Sequence, residues 1–212
     1  MKISLILWVC RVVAVLAMVT LAGCSTAIPT YTTVDGTRLR LEDPLDAGAA
    51  VALDLSLEML CGEKRWIVEA TMEVEPRRVA LVGFTPVGTT LFSLTLIDGE
   101  LGFSTLPGVD LPIPPRTLIL LLHLACWPDR SLAPWLGTYA IDLEDNNGSR
   151  TLVRDGKTVV TVTWDAALTE SGSRSEVLAE TADHAPGSGR ISAPPYELGV
   201  TIRRRESLVA PP

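Results

Sequence analysis

The sequence predicts a mostly β protein with minor α content. It should form a curved antiparallel meander of about nine to eleven strands, open or closed into a half-barrel. Three observations support this. Apolar and polar residues alternate with period two through most of the chain from Leu53 onward. Asp98-Gly99, Asn147-Gly148 and Asp155-Gly156 fall between alternating segments, where tight hairpin turns need residues that accept positive φ. One segment, PPRTLILLLHLACWPDR from Pro114 to Arg130, breaks the alternation with an apolar run fenced by prolines.

The strands follow in order. Leu53, Leu55, Leu57 and Met59 alternate with Asp54, Ser56 and Glu58, a strand with one dry and one wet face. Gly62-Glu63 makes the turn into a second strand, in which Trp66, Val68, Ala70, Met72 and Val74 share a face. Residues 78–84 and 89–97 form the third and fourth strands, and the Asp98-Gly99 turn leads into residues 101–104. Residues 139–143, 149–153 and 158–164 continue the meander. The last strand runs over about 196–204, with Tyr196, Leu198, Val200 and Ile202 on one face. Residues 165–189 are polar, rich in Gly and Ser, and predict a long loop with a helical turn near Glu176–Glu180.

The proline-fenced run predicts a helix over 115–126. Pro115 suits a first turn, where no donor is lost, and Trp127 before Pro128 is pushed out of helical geometry. A short second helix over 130–136 should stop at Gly137, a residue suited to a left-handed terminus. The first helix is too short to span a bilayer, which needs about 20 apolar residues. Apolar on all sides, it should lie across the concave face of the curved sheet. It could complete the core there, or wall or lid an apolar cavity. For a cavity, the candidate lining residues are Leu118, Leu121 and Leu122 on the helix and Phe92 on the fourth strand. Membrane-surface insertion is the poorest fit, because such helices carry a strongly polar face.

The N-terminus suggests an address. Residues 1–23 contain Lys2 and Arg11, no acid, and the apolar run Val12 to Leu21, followed by Ala22, Gly23 and Cys24. Basic flank, short apolar region and small residues before a cut are the layout of a secretory signal. Leu-Ala-Gly-Cys resembles the lipobox of bacterial lipoproteins, which implies cleavage before Cys24 and acylation of its thiol. Read instead as an uncleaved span, the segment would put Arg11 at mid-membrane, at a cost of about 2.5–3.5 kcal/mol. Ser25, rather than Asp, follows the acylated Cys. By resemblance to lipoprotein sorting signals, this implies the outer membrane, with the domain facing the periplasm. The expected layout is a signal peptide at 1–23, an anchor and tether at 24–41, one domain at 42–206 and a tail at 207–212.

Composition narrows the function. Acids outnumber bases 25 to 18 and the formal net charge is −7; losing residues 1–23 makes the chain more acidic still. That argues against nucleic acid, whose binding depends on Lys and Arg neutralising phosphates. Beyond the signal segment, Cys61 and Cys126 are the two thiols left if Cys24 is acylated. They could form a disulfide in an oxidising compartment, worth about 4 kcal/mol by chain entropy, or remain two buried thiols.

Catalytic signatures are missing. His123 sits among leucines and reads as a core histidine; His184 falls in the polar loop. Neither belongs to a metal-spaced cluster, and the sequence has no nucleophile elbow, P-loop or dinucleotide fingerprint. Glu73, Glu75, Asp142 and Glu144 fall on wet strand faces, and Arg203, Arg204 and Arg205 read as a strand end kept soluble by charge. No catalytic residue, metal or cofactor is expected.

The segments Val79 to Gly99, Ala125 to Pro128 and Pro195 to Ile202 resemble the bacterial lipoproteins grouped as domain of unknown function 3261, over roughly residues 53–204. Genes of that family tend to lie with those for fatty-acid-synthase-like enzymes, including enzymes for aryl polyene lipids. The resemblance implies a fold similar to the carriers and receptors of outer-membrane lipoprotein localisation: half-barrels closed by helices around a cavity for acyl chains. The implied function is binding or transfer of a lipid-like molecule. The alternative is an assembly lipoprotein without a ligand, docking an envelope transporter or carrier protein. The membrane is the other expected partner, through the anchor on Cys24.

Overall fold

The computed structural model describes residues 31–34, 37–40, 50–127, 129–146, 149–165 and 187–207. Among them, ten strands make one antiparallel sheet. The first five are β3 (Val51–Cys61), β4 (Lys64–Glu75), β5 (Arg78–Phe84), β6 (Thr90–Ile97) and β7 (Glu100–Thr105). Helices α1 (Pro115–Cys126) and α2 (Asp129–Gly137) follow, then β8 (Asp142–Asn146), β9 (Ser149–Arg154), β10 (Lys157–Trp164), β11 (Gly187–Ala193) and β12 (Tyr196–Ser207). A separate hairpin, β1 (Tyr31–Val34) and β2 (Thr37–Arg40), precedes them.

The spatial order is β7-β6-β5-β4-β3-β12-β11-β10-β9-β8. Two meanders therefore meet in the middle, where β3 pairs with β12, and the sheet stays open, with β7 and β8 as its edges. The chain leaves at one edge and must re-enter at the other. Residues 106–141, with both helices, make that crossing. This is why α1 lies over the sheet rather than beside it.

Alternation does what period two requires. In β3 every second residue from Val51 to Met59 is buried and its neighbours are half-exposed. Residues paired across antiparallel strands share a face, so burial is passed from strand to strand: Leu198 lies opposite Met59, and Leu57 opposite Val68. The Asp98-Gly99 and Asp155-Gly156 turns have positive φ at both residues, as expected of a two-residue hairpin of this hand. On the inner face, glycine makes room for aromatic rings. Phe92 lies across Gly83, where a Cβ would come within 2.3 Å of the ring, and Trp164 covers Gly189 in the same way.

Several expectations need correction. The strand expected over 139–143 starts only at Asp142; Tyr139 belongs to the turn that ends α2. Gly137 is the last helical residue, and the left-handed position falls at Ala140, φ 53°. Residues 187–189, expected in a long loop over 165–189, instead begin strand β11, flanked by β10 and β12; residues 166–186 lie outside the described residues. The tether expected over 24–41 includes the β1–β2 hairpin, which lies against α1 and buries Leu39 in the core. β12 runs on to Ser207, so Arg203 to Arg205 lie within a strand; Arg203 pairs with Glu69 at 2.8 Å. The signal segment, the Asn147-Gly148 turn, the helical turn near Glu176–Glu180 and His184 lie outside the described residues.

Candidate functional site

Helix α1 begins and ends where its prolines require. Pro114 precedes it in extended geometry and Leu118 N donates to Pro114 O at 2.9 Å. Trp127 leaves it extended, its N–H still bonded to His123 O at 2.9 Å. Every residue from Arg116 to Trp127 is buried. A flat sheet could cover only one side of a helix. Burial all round requires the sheet to curl around α1, with β1 and β11 among the elements against it.

The four candidate cavity residues come together. Leu118, Leu121, Leu122 and Phe92 have no exposed surface, and all belong to one apolar cluster that includes the inner faces of both meanders. Packed this way, the four side chains behave as core.

Polar chemistry gathers at the C-terminal end of α1. The last carbonyls of a helix lack intrahelical partners. Arg150, an inward position of β9 only 5% exposed, supplies two: its Nη1 donates to Leu124 O at 2.6 Å and to Trp127 O at 3.0 Å. Its Nη2 pairs with Asp129, the first residue of α2. One guanidinium thus ties the end of α1, the start of α2 and the sheet together. Sequence reasoning missed this residue. The only signal was period two, which puts Arg150 on the same face of β9 as Leu152.

One turn earlier, His123 is 5% exposed, with its ring 4.2 Å from that of Trp127. Its Nε2 is buried without a hydrogen-bond partner among the described residues. Desolvation pushes its pKa down to about 3, so the imidazole is neutral. Burial likewise pushes the Cys126 thiol up to about 12, although Arg150 opposes the shift. Cys126 is a free thiol, as is half-buried Cys61, so of the two possibilities the bridge is not the one formed here. Cys24, the expected lipidation site, lies outside the described residues.

The sheet's outer face is wet. Here Arg78 bonds Glu73 at 3.1 Å, so that carboxylate is paired as well as solvated. A trough of about 600 Å³ crosses the outer face from β10 over β11, β12 and β3 to β4, lined by Ser56, Glu58, Ile67, Thr163, Arg190 and Thr201 among others. Among the described residues, no cluster of His, Cys, Asp or Glu could hold a metal ion, and no helix is long and apolar enough to cross a membrane.

The sequence of most of this sheet and of both helices matches one family. The chain belongs to the family described as Protein of unknown function (DUF3261), whose model matches residues 56–183, from β3 into the segment before β11. No curated protein matches the chain.

Proposed function

We propose that this protein is a lipid-anchored component of the bacterial cell envelope. In this reading it is held by Cys24 at the outer membrane and takes an acyl or aryl-polyene-type chain between α1 and the concave sheet face. One observation carries the reading. An open sheet surrounds a single apolar interior, and the element that fills it is a helix bounded by prolines at both ends. Such a helix can shift as a unit and leave a lined apolar space. Each methylene that enters gains about 0.8 kcal/mol from leaving water, so a long chain offsets the contacts α1 gives up. The process is noncovalent: binding, or binding and hand-over.

A second reading has its own support. Leu118 to Leu122 are wholly buried, as a permanent core helix would be, and the outer-face trough offers a polar surface to another protein. On that reading the protein docks an envelope transporter or carrier and holds no lipid.

The two separate by extraction. The soluble domain, purified from cells and extracted with organic solvent, yields bound lipid by mass spectrometry under the first reading and none under the second. Truncations refine the result. At a core position Leu→Ala costs about 2–5 kcal/mol. If α1 walls a ligand space, at least one of Leu118, Leu121 and Leu122 accepts Ala with little loss of Tm, and Trp there blocks a fluorescent fatty-acid probe. The anchor has a separate test: Cys24→Ala should block acylation and maturation at this site, so that labelled palmitate is no longer incorporated.

A further inference from the structure

His123 is hard to explain as core alone. It sits in the middle of α1 between Leu122 and Leu124, with Ile119, Leu120, Cys126 and Trp127 as its neighbours one turn away, all buried. Buried polar atoms nearly always find a partner, because an unmade hydrogen bond in a dry interior is not replaced by water. Here Nε2 has none among the described residues. Leucine or phenylalanine would fill the same place without that penalty. A buried polar atom left unpaired calls for an explanation, and a polar group that orients a ligand within an apolar site is one.

The chemistry of the ring narrows the ligand. Held neutral by burial, the imidazole presents Nε2 as a donor to a carbonyl or an acceptor from a hydroxyl, according to tautomer. It offers no positive charge to an ionised carboxylate, and such a group enters an apolar interior at high cost. Arg116 lies seven residues away on α1, about 10 Å along the axis, and Arg150, which bonds the carbonyls of Leu124 and Trp127 beside His123, already has its charge paired with Asp129, so neither favours an ionised headgroup at His123.

We propose that His123 is the polar anchor of the ligand site: its Nε2 bonds an uncharged oxygen, an ester carbonyl or a hydroxyl, on the apolar chain. The protein then selects esterified or hydroxylated chains over free fatty acids. This inference rests on the reading that the interior takes an apolar chain.

The test uses the full anchored chain in nanodiscs, with diazirine-bearing palmitic acid and its methyl ester as probes. After photolysis, crosslinked peptides are mapped by mass. The wild type should label α1 and the inner strands at least tenfold more with the ester than with the acid: one buried hydrogen bond is worth about tenfold, and the cost of burying the carboxylate adds to it. His123→Leu should lose the tenfold share owed to the hydrogen bond while its Tm stays level or rises, since an unsatisfied polar atom has gone. His123→Asn, which keeps a donor and an acceptor, should retain part of the preference. A His123→Leu protein that keeps the full ester preference overturns the proposal, as does a wild type that favours the acid. A fall in Tm without a change in preference assigns His123 to structure and also overturns it. A wild-type interior labelled by neither probe removes the apolar-chain reading itself, and this inference with it.

Discussion

Helices α1 and α2 are nearly adjacent in the chain, yet they live in different solvents. In α1 eleven of twelve residues are buried; in α2 only Leu132 and Leu136 are. α2 carries Pro134 within it and Asp129 at its start, where a carboxylate suits the helix dipole. α1 has neither an acid in its first turn nor a side-chain cap, and its prolines and its burial hold it instead. The contrast shows that helices of similar length can be stabilised in opposite ways. α1 is a core element that happens to be helical. α2 is a surface turn of helix that lets the chain reach β8.

The contrast predicts unequal responses to charge. Leu120→Asp puts a carboxylate into a fully buried position and should cost about 4 kcal/mol or more, most of the margin of an ordinary domain. Ala133→Glu, on the exposed side of α2, should stay within about 0.5 kcal/mol. Urea unfolding of both variants decides it; equal losses would mean that α2 is as deeply embedded as α1.

The junction between the helices should be next in effect. Arg150→Met strands two helix-end carbonyls and removes the cation beside Asp129, so it should cost about 3 kcal/mol. Arg150→Lys should rescue little, because one ammonium does not reproduce a fork that reaches two carbonyls and a carboxylate. If Lys restores the wild-type Tm, charge alone holds the junction and the fork geometry is irrelevant.

A smaller effect sharpens the comparison through pH. His123 has a folded pKa near 3 against 6.5 for the free group, so between those values the unfolded chain binds the extra proton. The stability associated with neutral His123 is therefore fully present above about pH 6.5 and is lost as pH falls toward 3, with a limiting slope of about 1.4 kcal/mol per pH unit. His123→Leu should flatten this part of the stability profile, measured by urea melts at stepped pH. An unchanged slope would place the imidazole in water.

The smallest effect concerns a single thiol. Under native conditions iodoacetamide should modify Cys61 and leave Cys126 untouched, because the Cys126 thiol is buried and its pKa is raised to about 12. Rapid labelling of Cys126 would show that the end of α1 opens readily. Protection of both thiols until a reductant is added would instead reveal a bridge.

Much of the fold could be read before any coordinates, for local reasons. Period two marks β3 and β4 because successive side chains point to opposite faces. Asp-Gly marks two hairpins because those residues accept positive φ, and Pro115 and Pro128 bound α1 because proline constrains the backbone on either side of it. What lacked a local signal was missed. β11, GSGRISA, has little strand propensity; it becomes a strand because β10 and β12 supply ladder partners on both sides and Trp164 covers Gly189. Arg150 looked like any surface arginine until the end of α1 was placed beside β9. The same division applies to the candidate site. The residues of α1 alone show that it must avoid water. That it lies inside an open sheet, tied down by a distant arginine and carrying one unsatisfied imidazole nitrogen, depends on contacts between segments far apart in the chain. Neither propensity nor periodicity encodes such contacts, because both describe a residue's neighbours in sequence and not its neighbours in space.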